Sequence, residues 1–408
     1  MGYFRKTLWG VTWVGAFRAL TRFIAFVRTI VLARILSPAQ FGIFGIASLT
    51  ITFLEILMET GINVVLVQKK KGINEYLNTA WVVSILRGCL ISLILVVLAP
   101  FASSFFNSPE SRNLVYLISL VSLIRGFINP AIVRFQKELR FGTEFWFRFV
   151  VFAVDSGVAV LVSLVTQSSV GIVWGLIAGA LLELVMSFVF VSPRPSLEFN
   201  SVKLREILSK GKWVTGAGFF QFLFRQGDDG VVGRFLGETS LGIYQVAYKI
   251  CSMPISEVTD VFGRVMFPTY VKLSIDSHRL RQVFIKITVV IVSVATLLGL
   301  TLFVFGEDLI KIFLGEQWLP AVPLVRVLSV FGVIQAVTNS MNSLLLALEK
   351  QKYITFVTLV SILGLGVTIV PLTLNYGLTG TVWAPLIGAT ISLPLEIWFV
   401  AKALKQNA

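Results

Sequence analysis

Apolar segments of 18 or more residues recur along the whole chain, separated by short polar stretches. A helix of that length crosses a hydrocarbon core about 30 Å thick. The pattern therefore predicts an all-α integral membrane protein with about twelve transmembrane helices and no separate soluble domain. The predicted segments are approximately residues 9–36, 41–67, 77–100, 113–133, 144–165, 170–191, 213–235, 241–270, 284–304, 320–348, 353–374 and 379–400.

Composition and charge placement indicate how these helices are oriented. The chain is 56% hydrophobic and 14% charged, with a net charge of +14. Lysine and arginine concentrate in alternate polar stretches, so the positive-inside rule predicts a multi-pass protein of the cytoplasmic (inner) membrane with both termini cytoplasmic. We interpret the basic surface as favouring anionic membrane lipids, and not nucleic acid. The first segment carries arginines and lacks a small-residue cleavage site, so we expect a retained helix and not a signal peptide.

The two halves of the sequence repeat each other. Residues 31–47 read VLARILSPAQFGIFGIA and residues 231–247 read VVGRFLGETSLGIYQVA, which matches several positions at a constant offset of about 200 residues. An even number of segments in each half gives both halves the same orientation. We predict a six-helix bundle at 1–192, a cytoplasmic linker at 193–212 and a second six-helix bundle at 213–408. A parallel pseudo-two-fold axis would relate the bundles around a central cavity. The linker is either an interfacial helix or a plain tether.

Charged residues inside the apolar segments are the candidate substrate-binding residues. A cation at bilayer depth costs roughly 2.5–3.5 kcal/mol, so it is expected to face protein or a wet cavity. At about 100° per residue, Arg18, Arg22, Arg225 and Asp229 fall within an arc of roughly 60° when the repeat is superimposed. The alternative is that Arg225 forms a structural ion pair with one of the adjacent aspartates. Further arginines lie in other segments: Arg87, Arg125 and Arg148.

The repeat also aligns Arg28 with Asp228, so two residues of opposite charge occupy equivalent positions in the two halves. We predict that these two side chains meet in one conformational state of the protein, and the alternative is that each is paired within its own half. Other polar residues are also candidate site residues, and the sequence does not assign a role to each of them. They are Glu59 beside Glu55, Lys249 and Asp260 in the eighth segment, and the polar face of Gln335, Asn339 and Asn342 in the tenth.

These acids are suited to charge balance, to a coupling ion or to proton transfer, and the amides to sugar hydroxyls or to hydrogen bonds between helices. Asp155 and Glu183 are isolated in the pattern, and we assign them no role. Cys89 and Cys251 form no C-x-x-C pair. We therefore expect no disulfide framework, metal site or cofactor.

Three stretches resemble a known family of exporters: LARILSPAQFGIFGIA, ETGINVVLVQKK and NPAIVRFQKELRF. They are similar to the Wzx-type polysaccharide flippases, which handle O-antigen and exopolysaccharide units, of the multidrug/oligosaccharidyl-lipid/polysaccharide exporter superfamily. The resemblance implies two six-helix bundles around a cavity lined by the first, second, seventh and eighth spans. It implies translocation of an undecaprenyl-pyrophosphate-linked oligosaccharide by alternating access. Related peptidoglycan-precursor flippases carry fourteen spans, and this chain shows no additional pair.

Arginine binds phosphate through two parallel hydrogen bonds and remains charged at physiological pH. We therefore expect Arg18, Arg22 and Arg225 to hold the pyrophosphate. A multidrug or other small-solute antiporter of the same superfamily is the alternative, although a cationic drug would be repelled by an arginine-rich wall. A major-facilitator carrier would need its G-x-x-x-D-[RK]-x-G-[RK] loop where this chain has QKKKGINEY. An enzyme is not expected, because the outer loops are too short to fold a catalytic domain.

Overall fold

A computed structural model describes residues 20–60, 62, 66, 73–138, 140–274 and 276–406, and for some of these it describes the backbone only. The described residues form α-helices and short 3-10 turns, without a β-strand among them. The helices toward the amino terminus are α1 at residues 20–35, α2 Pro38–Leu57, α3 Ile73–Phe105, α4 Pro109–Gly126, α5 Phe141–Thr166 and α6 Val170–Val189. Those that follow are α7 Ser201–Leu273, α8 Ser277–Phe313, α9 Val322–Ala347 and α10 Gln351–Gln406.

Seven helices within the described residues are long and apolar enough to cross a membrane, or eight if one bent pair is a single span. The predicted all-α membrane class is therefore confirmed. Two of the long helices contain a break at a glycine with positive φ: Gly237 in α7 (φ 81°) and Gly377 in α10 (φ 61°). Glycine adopts this conformation without the steric penalty of a Cβ. Each break falls between two of the apolar segments that the sequence predicts.

Two predicted segments end earlier in the structure. The helix α2 stops at Leu57, so Glu59 lies beyond its end and not within a continuous span to residue 67. The helix α4 stops at Gly126, and the chain bends by 70° into the turn that begins at Pro130. Proline cannot donate a backbone hydrogen bond to continue a helix. The side chain of Asn129 instead accepts from the N–H of Ala131 at 2.9 Å, which starts the new turn.

Small residues allow two pairs of helices in the N-terminal part to approach closely. A Cβ added to Gly88 of α3 would lie 2.7 Å from the carbonyl oxygen of Ser122 and 2.8 Å from the Cα of Gly126. A Cβ on Gly175 of α6 would lie 2.6 Å from the Cβ of Ala159 on α5. Such contacts are typical of helix pairs in membranes, where dispersion between closely packed backbones replaces the hydrophobic effect. They hold α3 against α4 and α5 against α6.

The stretch that joins α6 to α7 is fastened to the N-terminal helices. Arg134 donates to the carbonyl oxygen of Ser192 at 2.6 Å. Asn78 at the start of α3 accepts from the N–H of Ser196 at 3.0 Å and donates to the carboxylate of Glu198 at 2.9 Å. The bond from Asn78, followed by that from Ser196, lowers the pKa of Glu198. The helix α7 begins at Ser201, within the predicted linker, and whether that part of the chain lies at the membrane interface stays a prediction.

The chain divides into two compact units, one up to Gly227 and one from Asp228. The boundary lies inside α7, because the first part of that helix packs against the N-terminal unit. The rings of Phe219 and Phe222 lie 6.4 and 5.5 Å from the ring of Phe53 on α2. The division at 1–192, 193–212 and 213–408 follows the sequence repeat, and it stays a prediction.

Candidate functional site

The N-terminal unit contains a cavity of about 640 Å³ that is lined by charged and apolar side chains. The helices α2 to α6 all contribute to its wall, together with the turn after α4. Ligand-binding cavities in proteins commonly have volumes of about 300–1,000 Å³. The charged residues of the wall are Glu55, Glu59, Arg87, Arg125, Arg148 and Glu183.

The early end of α2 explains how two of the arginines are held. The last carbonyls of a helix have no partner within the helix. Arg87 of α3 donates to one of them, the carbonyl oxygen of Glu55, at 2.7 Å. The same guanidinium forms an ion pair with Glu59 at 3.2 Å, and Arg125 of α4 lies 3.6 Å from the carboxylate of Glu55. The two glutamates therefore anchor one arginine on each of the two neighbouring helices.

A second cavity of about 310 Å³ adjoins the first, and the two share Arg125, Arg148 and Glu183. Arg148 pairs with Glu144 on its own helix at 2.9 Å, one turn earlier. Glu183 on α6 is half-buried. Within the part of the chain that the structure describes, its carboxylate has neither a hydrogen bond nor an ion pair. Glu183 thus lines both cavities together with Arg125 and Arg148, and no described residue is paired with it.

The second cavity reaches α1. It is bordered by Thr21 of α1 and by Asp155 of α5. Arg28, two turns after Thr21, forms an ion pair with Asp155 at 2.9 Å, and the two side chains are only 14% and 13% exposed. The other carboxylate oxygen of Asp155 is buried without a hydrogen bond. The interpretation of Asp155 as isolated is therefore wrong, because its partner lies on a helix that is distant in sequence.

The arginines proposed for a pyrophosphate are exposed where the structure describes them. Arg18 lies outside the described residues. Arg22 on α1 is exposed, as is Arg225 on α7. Among the described residues, the guanidinium of Arg225 has no hydrogen-bond or ion-pair partner, so the alternative of an Arg225–aspartate ion pair is not what the structure contains. An unpaired arginine in an apolar segment is tolerated where it faces water and not lipid.

The neighbouring aspartates have partners within the C-terminal unit. Asp228 is 7% exposed and accepts a hydrogen bond from the hydroxyl of Tyr244 at 2.6 Å. It also accepts from the N–H of Asp229 at 3.0 Å. Arg28 and Asp228 thus each have a partner within their own unit, as the alternative interpretation expected. Their meeting in another state stays a prediction.

The remaining candidates are not all brought to one place. Lys249 is exposed on α7, and the side chain of Asp260 lies outside the described part. Gln335 is half-buried and Asn339 is exposed on α9, whereas the side-chain oxygen of Asn342 is buried without a hydrogen bond. Of the predicted site residues, Glu59 is the one that borders the larger cavity. Glu55, Arg87, Arg125, Arg148 and Glu183 were missed as site residues, although charge inside an apolar segment was the available signal.

A family described as polysaccharide biosynthesis protein matches this chain over residues 31–323. The chain belongs to that family. Similar members include TuaB, a teichuronic acid biosynthesis protein of Bacillus subtilis (strain 168), which is 24% identical over 87% of this chain and 74% of its own length. WzxC, a lipopolysaccharide biosynthesis protein of Escherichia coli (strain K12), is 25% identical over 84% of this chain and 70% of its own length. The resemblance that the motifs suggested is thereby confirmed.

Two solved structures have a fold similar to that of this chain. The lipid II flippase MurJ in an inward closed conformation superimposes with a TM-score of 0.72 at 14% identity, over 96% of this chain and 89% of MurJ. An inward-facing multidrug resistance MATE transporter of the MOP superfamily gives 0.63 at 13% identity, over 95% of both chains. At such identities the likeness concerns the fold alone. The family match spans the residues around the larger cavity, and it begins after Arg22 and Arg28.

Proposed function

We propose that this protein is a flippase that moves a polyprenyl-pyrophosphate-linked oligosaccharide across the cytoplasmic membrane by alternating access. The observation that carries the proposal is a charged cavity of about 640 Å³ among helices that are otherwise apolar. Such a cavity gives a hydrophilic headgroup an environment that hydrocarbon cannot provide. Membership of a polysaccharide biosynthesis family and a fold like that of MurJ support the same function.

The full proposed architecture has twelve spans in two six-helix bundles, with both termini cytoplasmic. The breaks at Gly237 and Gly377 support it, because each divides a long helix into two lengths that correspond to predicted spans. The protein changes the position of its substrate and performs no bond-making or bond-breaking step. It needs no cofactor for this.

The pyrophosphate is the part of the substrate that requires fixed positive charge. It carries about two negative charges, and arginine binds phosphate oxygens through a planar pair of donors. In this proposal Arg18, Arg22 and Arg225 bind the pyrophosphate while the polyprenyl tail remains in lipid. The exposure of Arg22 and Arg225 in apolar helices supports that role, since an exposed guanidinium is accessible to an anionic headgroup.

Replacement of Arg225 tests the function directly. We expect Arg225→Ala to reduce export about tenfold or more and Arg225→Lys to retain part of it, because lysine keeps the charge and loses the paired donors. Export is measured as surface polysaccharide in cells that lack the chromosomal copy, and as accumulation of the lipid-linked repeat unit on the cytoplasmic side. Immunoblots of the membrane fraction show that each variant is present in equal amount.

Arg112→Ala is the matched control, because Arg112 is an exposed arginine near the start of α4 that contacts Tyr116 and lines neither cavity. It should export at the wild-type level. Normal surface polysaccharide in cells without the protein would refute the proposed function. A change in drug susceptibility in those same cells would then favour the multidrug antiporter, the function to which the MATE-like fold points.

A further inference from the structure

We propose that the cavity of the N-terminal unit binds the sugar portion of the lipid-linked substrate, with Glu183, Arg125 and Arg148 as the residues that contact sugar hydroxyls. This inference rests on the proposed flippase function and gives the saccharide a site separate from the arginines proposed for the pyrophosphate. It adds a specificity site to a transporter whose predicted candidates lie mostly elsewhere.

The unpaired carboxylate of Glu183 is the first observation. An ionisable side chain in an apolar helix is costly unless it is paired or hydrated, and it usually marks a ligand pathway. Glu183 faces both cavities, and within the described residues nothing donates to it. A sugar hydroxyl is a donor that satisfies such a carboxylate without adding charge.

Two arginines that line the same cavities as Glu183 supply hydrogen-bond donors to complement its acceptor oxygens. Arg125 and Arg148 also line both cavities, and their side chains are 45% and 44% exposed. The ion pair of Arg125 with Glu55 is long, at 3.6 Å, so this guanidinium retains donors for a ligand. A carboxylate accepts from two adjacent hydroxyls, and a guanidinium donates to two adjacent oxygens. Together they match the vicinal hydroxyls of a sugar ring.

Two buried hydroxyl groups provide an independent observation in the same wall. Ser122 is 3% exposed and Thr60 is 9% exposed, and both line the larger cavity. Among the described residues, neither hydroxyl oxygen has a hydrogen-bond partner. A buried polar group left unsatisfied costs about 1–3 kcal/mol, so both are positioned to gain from a polar ligand. A polyhydroxylated ring satisfies donors and acceptors of this kind together.

The balance of charges in the cavity wall favours a sugar over an anionic or a cationic ligand. The wall contains three arginines and three glutamates, Glu183 included. This neutral total suits an uncharged or weakly charged ring better than a bare pyrophosphate, which needs excess positive charge. The arginines repel a metal cation. The volume of about 640 Å³ lies within the range of cavities that hold small organic ligands.

The test compares binding of three probes to purified protein in lipid nanodiscs. The probes are the lipid-linked repeat unit, extracted from a strain of the source organism that lacks its polymerase; the free oligosaccharide released from that unit by mild acid; and undecaprenyl pyrophosphate without sugar. Loss of a hydrogen bond to a charged group corresponds to about tenfold in affinity. We expect Glu183→Leu to raise the Kd for the free oligosaccharide about tenfold and to leave the Kd for undecaprenyl pyrophosphate within twofold.

Glu183→Gln keeps an oxygen that accepts hydrogen bonds, so it should retain most of the affinity for the oligosaccharide. Glu396→Leu is the matched control. Glu396 is fully buried in α10, and it lines neither cavity. This control should bind all three probes as the wild type does. Thermal unfolding of each variant in the nanodisc identifies any that fail to fold. If Glu183→Leu is among them, Arg148→Leu, which removes another of the proposed contacts with sugar hydroxyls, carries the comparison and should raise the Kd for the free oligosaccharide in the same way.

An unchanged Kd of Glu183→Leu for the free oligosaccharide would overturn the inference, as would an equal loss for undecaprenyl pyrophosphate. These results are distinguishable from failure of the proposed function. If the wild-type protein does not move the lipid-linked unit across proteoliposomes, the flippase assignment fails. If it does so while Glu183→Leu binds the oligosaccharide normally, only the sugar site fails.

Discussion

The ion pair between Arg28 and Asp155 offers a direct test of how the N-terminal unit is stabilised. Its nitrogen and oxygen lie 2.9 Å apart, and both side chains are less than one-sixth exposed. The perturbation is Arg28→Leu, which removes the charge and leaves a side chain of similar apolar character to the arginine stem. It leaves Asp155 without a partner at either oxygen, because the second oxygen already lacks a hydrogen bond.

The size of the effect follows from leaving the buried carboxylate of Asp155 without an ion-pair partner. Breaking one side of a buried ion pair commonly costs about 3–5 kcal/mol. We therefore expect Arg28→Leu to lower the free energy of unfolding by about 3–5 kcal/mol at pH 7.

The assay is reversible unfolding in mixed micelles with increasing sodium dodecyl sulfate, followed by circular dichroism. The double variant Arg28→Leu with Asp155→Leu should unfold within about 1 kcal/mol of the wild type, because no charge is then left unpaired. Arg112→Leu is the control, since it removes an exposed arginine near the start of α4. Additive destabilisation in the double variant, or no effect of Arg28→Leu alone, would refute the reasoning.

A charge exchange separates this pair from the one that the sequence repeat suggests. Arg28→Asp with Asp155→Arg should recover stability that Arg28→Asp loses. Arg28→Asp with Asp228→Arg should not recover it, because Asp228 is already bonded to Tyr244. Recovery of export by the second exchange alone would support the predicted meeting of Arg28 and Asp228 during transport.

Two further substitutions test packing and hydrogen bonding, each against a matched control and each measured by the same unfolding assay. Gly88→Ala should cost about 1–3 kcal/mol, since its Cβ would meet the backbone of α4 at 2.7 Å, whereas Gly157→Ala, with nothing within 4 Å, should be neutral or slightly stabilising. Equal effects at both glycines would contradict close approach of α3 and α4. Tyr244→Phe should cost about 1–3 kcal/mol because it removes the donor to buried Asp228, whereas Tyr376→Phe, at a side chain 69% exposed, should have almost no effect. A silent Tyr244→Phe would show that Asp228 does not depend on that hydrogen bond.

Local features of the sequence were sufficient for the class of fold and for most of the helices. Hydropathy over about 20 residues depends only on neighbours in the chain, so the segments were found without knowing what they contact. The breaks at Gly237 and Gly377 fall between predicted segments for the same reason, since glycine interrupts an apolar run where a turn is needed. The Asn129-Pro130 pair also indicated the bend after α4. The predicted segment 113–133 nevertheless extended beyond this bend, because it was defined by hydropathy alone.

The polar interior was decided by the tertiary structure. Arg28 and Asp155 are 127 residues apart, and their contact depends on the rotation of α1 and α5 about their own axes. Sequence periodicity gives relative angles along one helix, but it contains no reference that orients one helix against another. Glu183 looked isolated for that reason, while in the structure it lines two cavities together with Arg125 and Arg148. The sequence by itself determined that charges lie within apolar helices, and only the packing of those helices determined which charges meet, because their side chains interact across space and not along the chain.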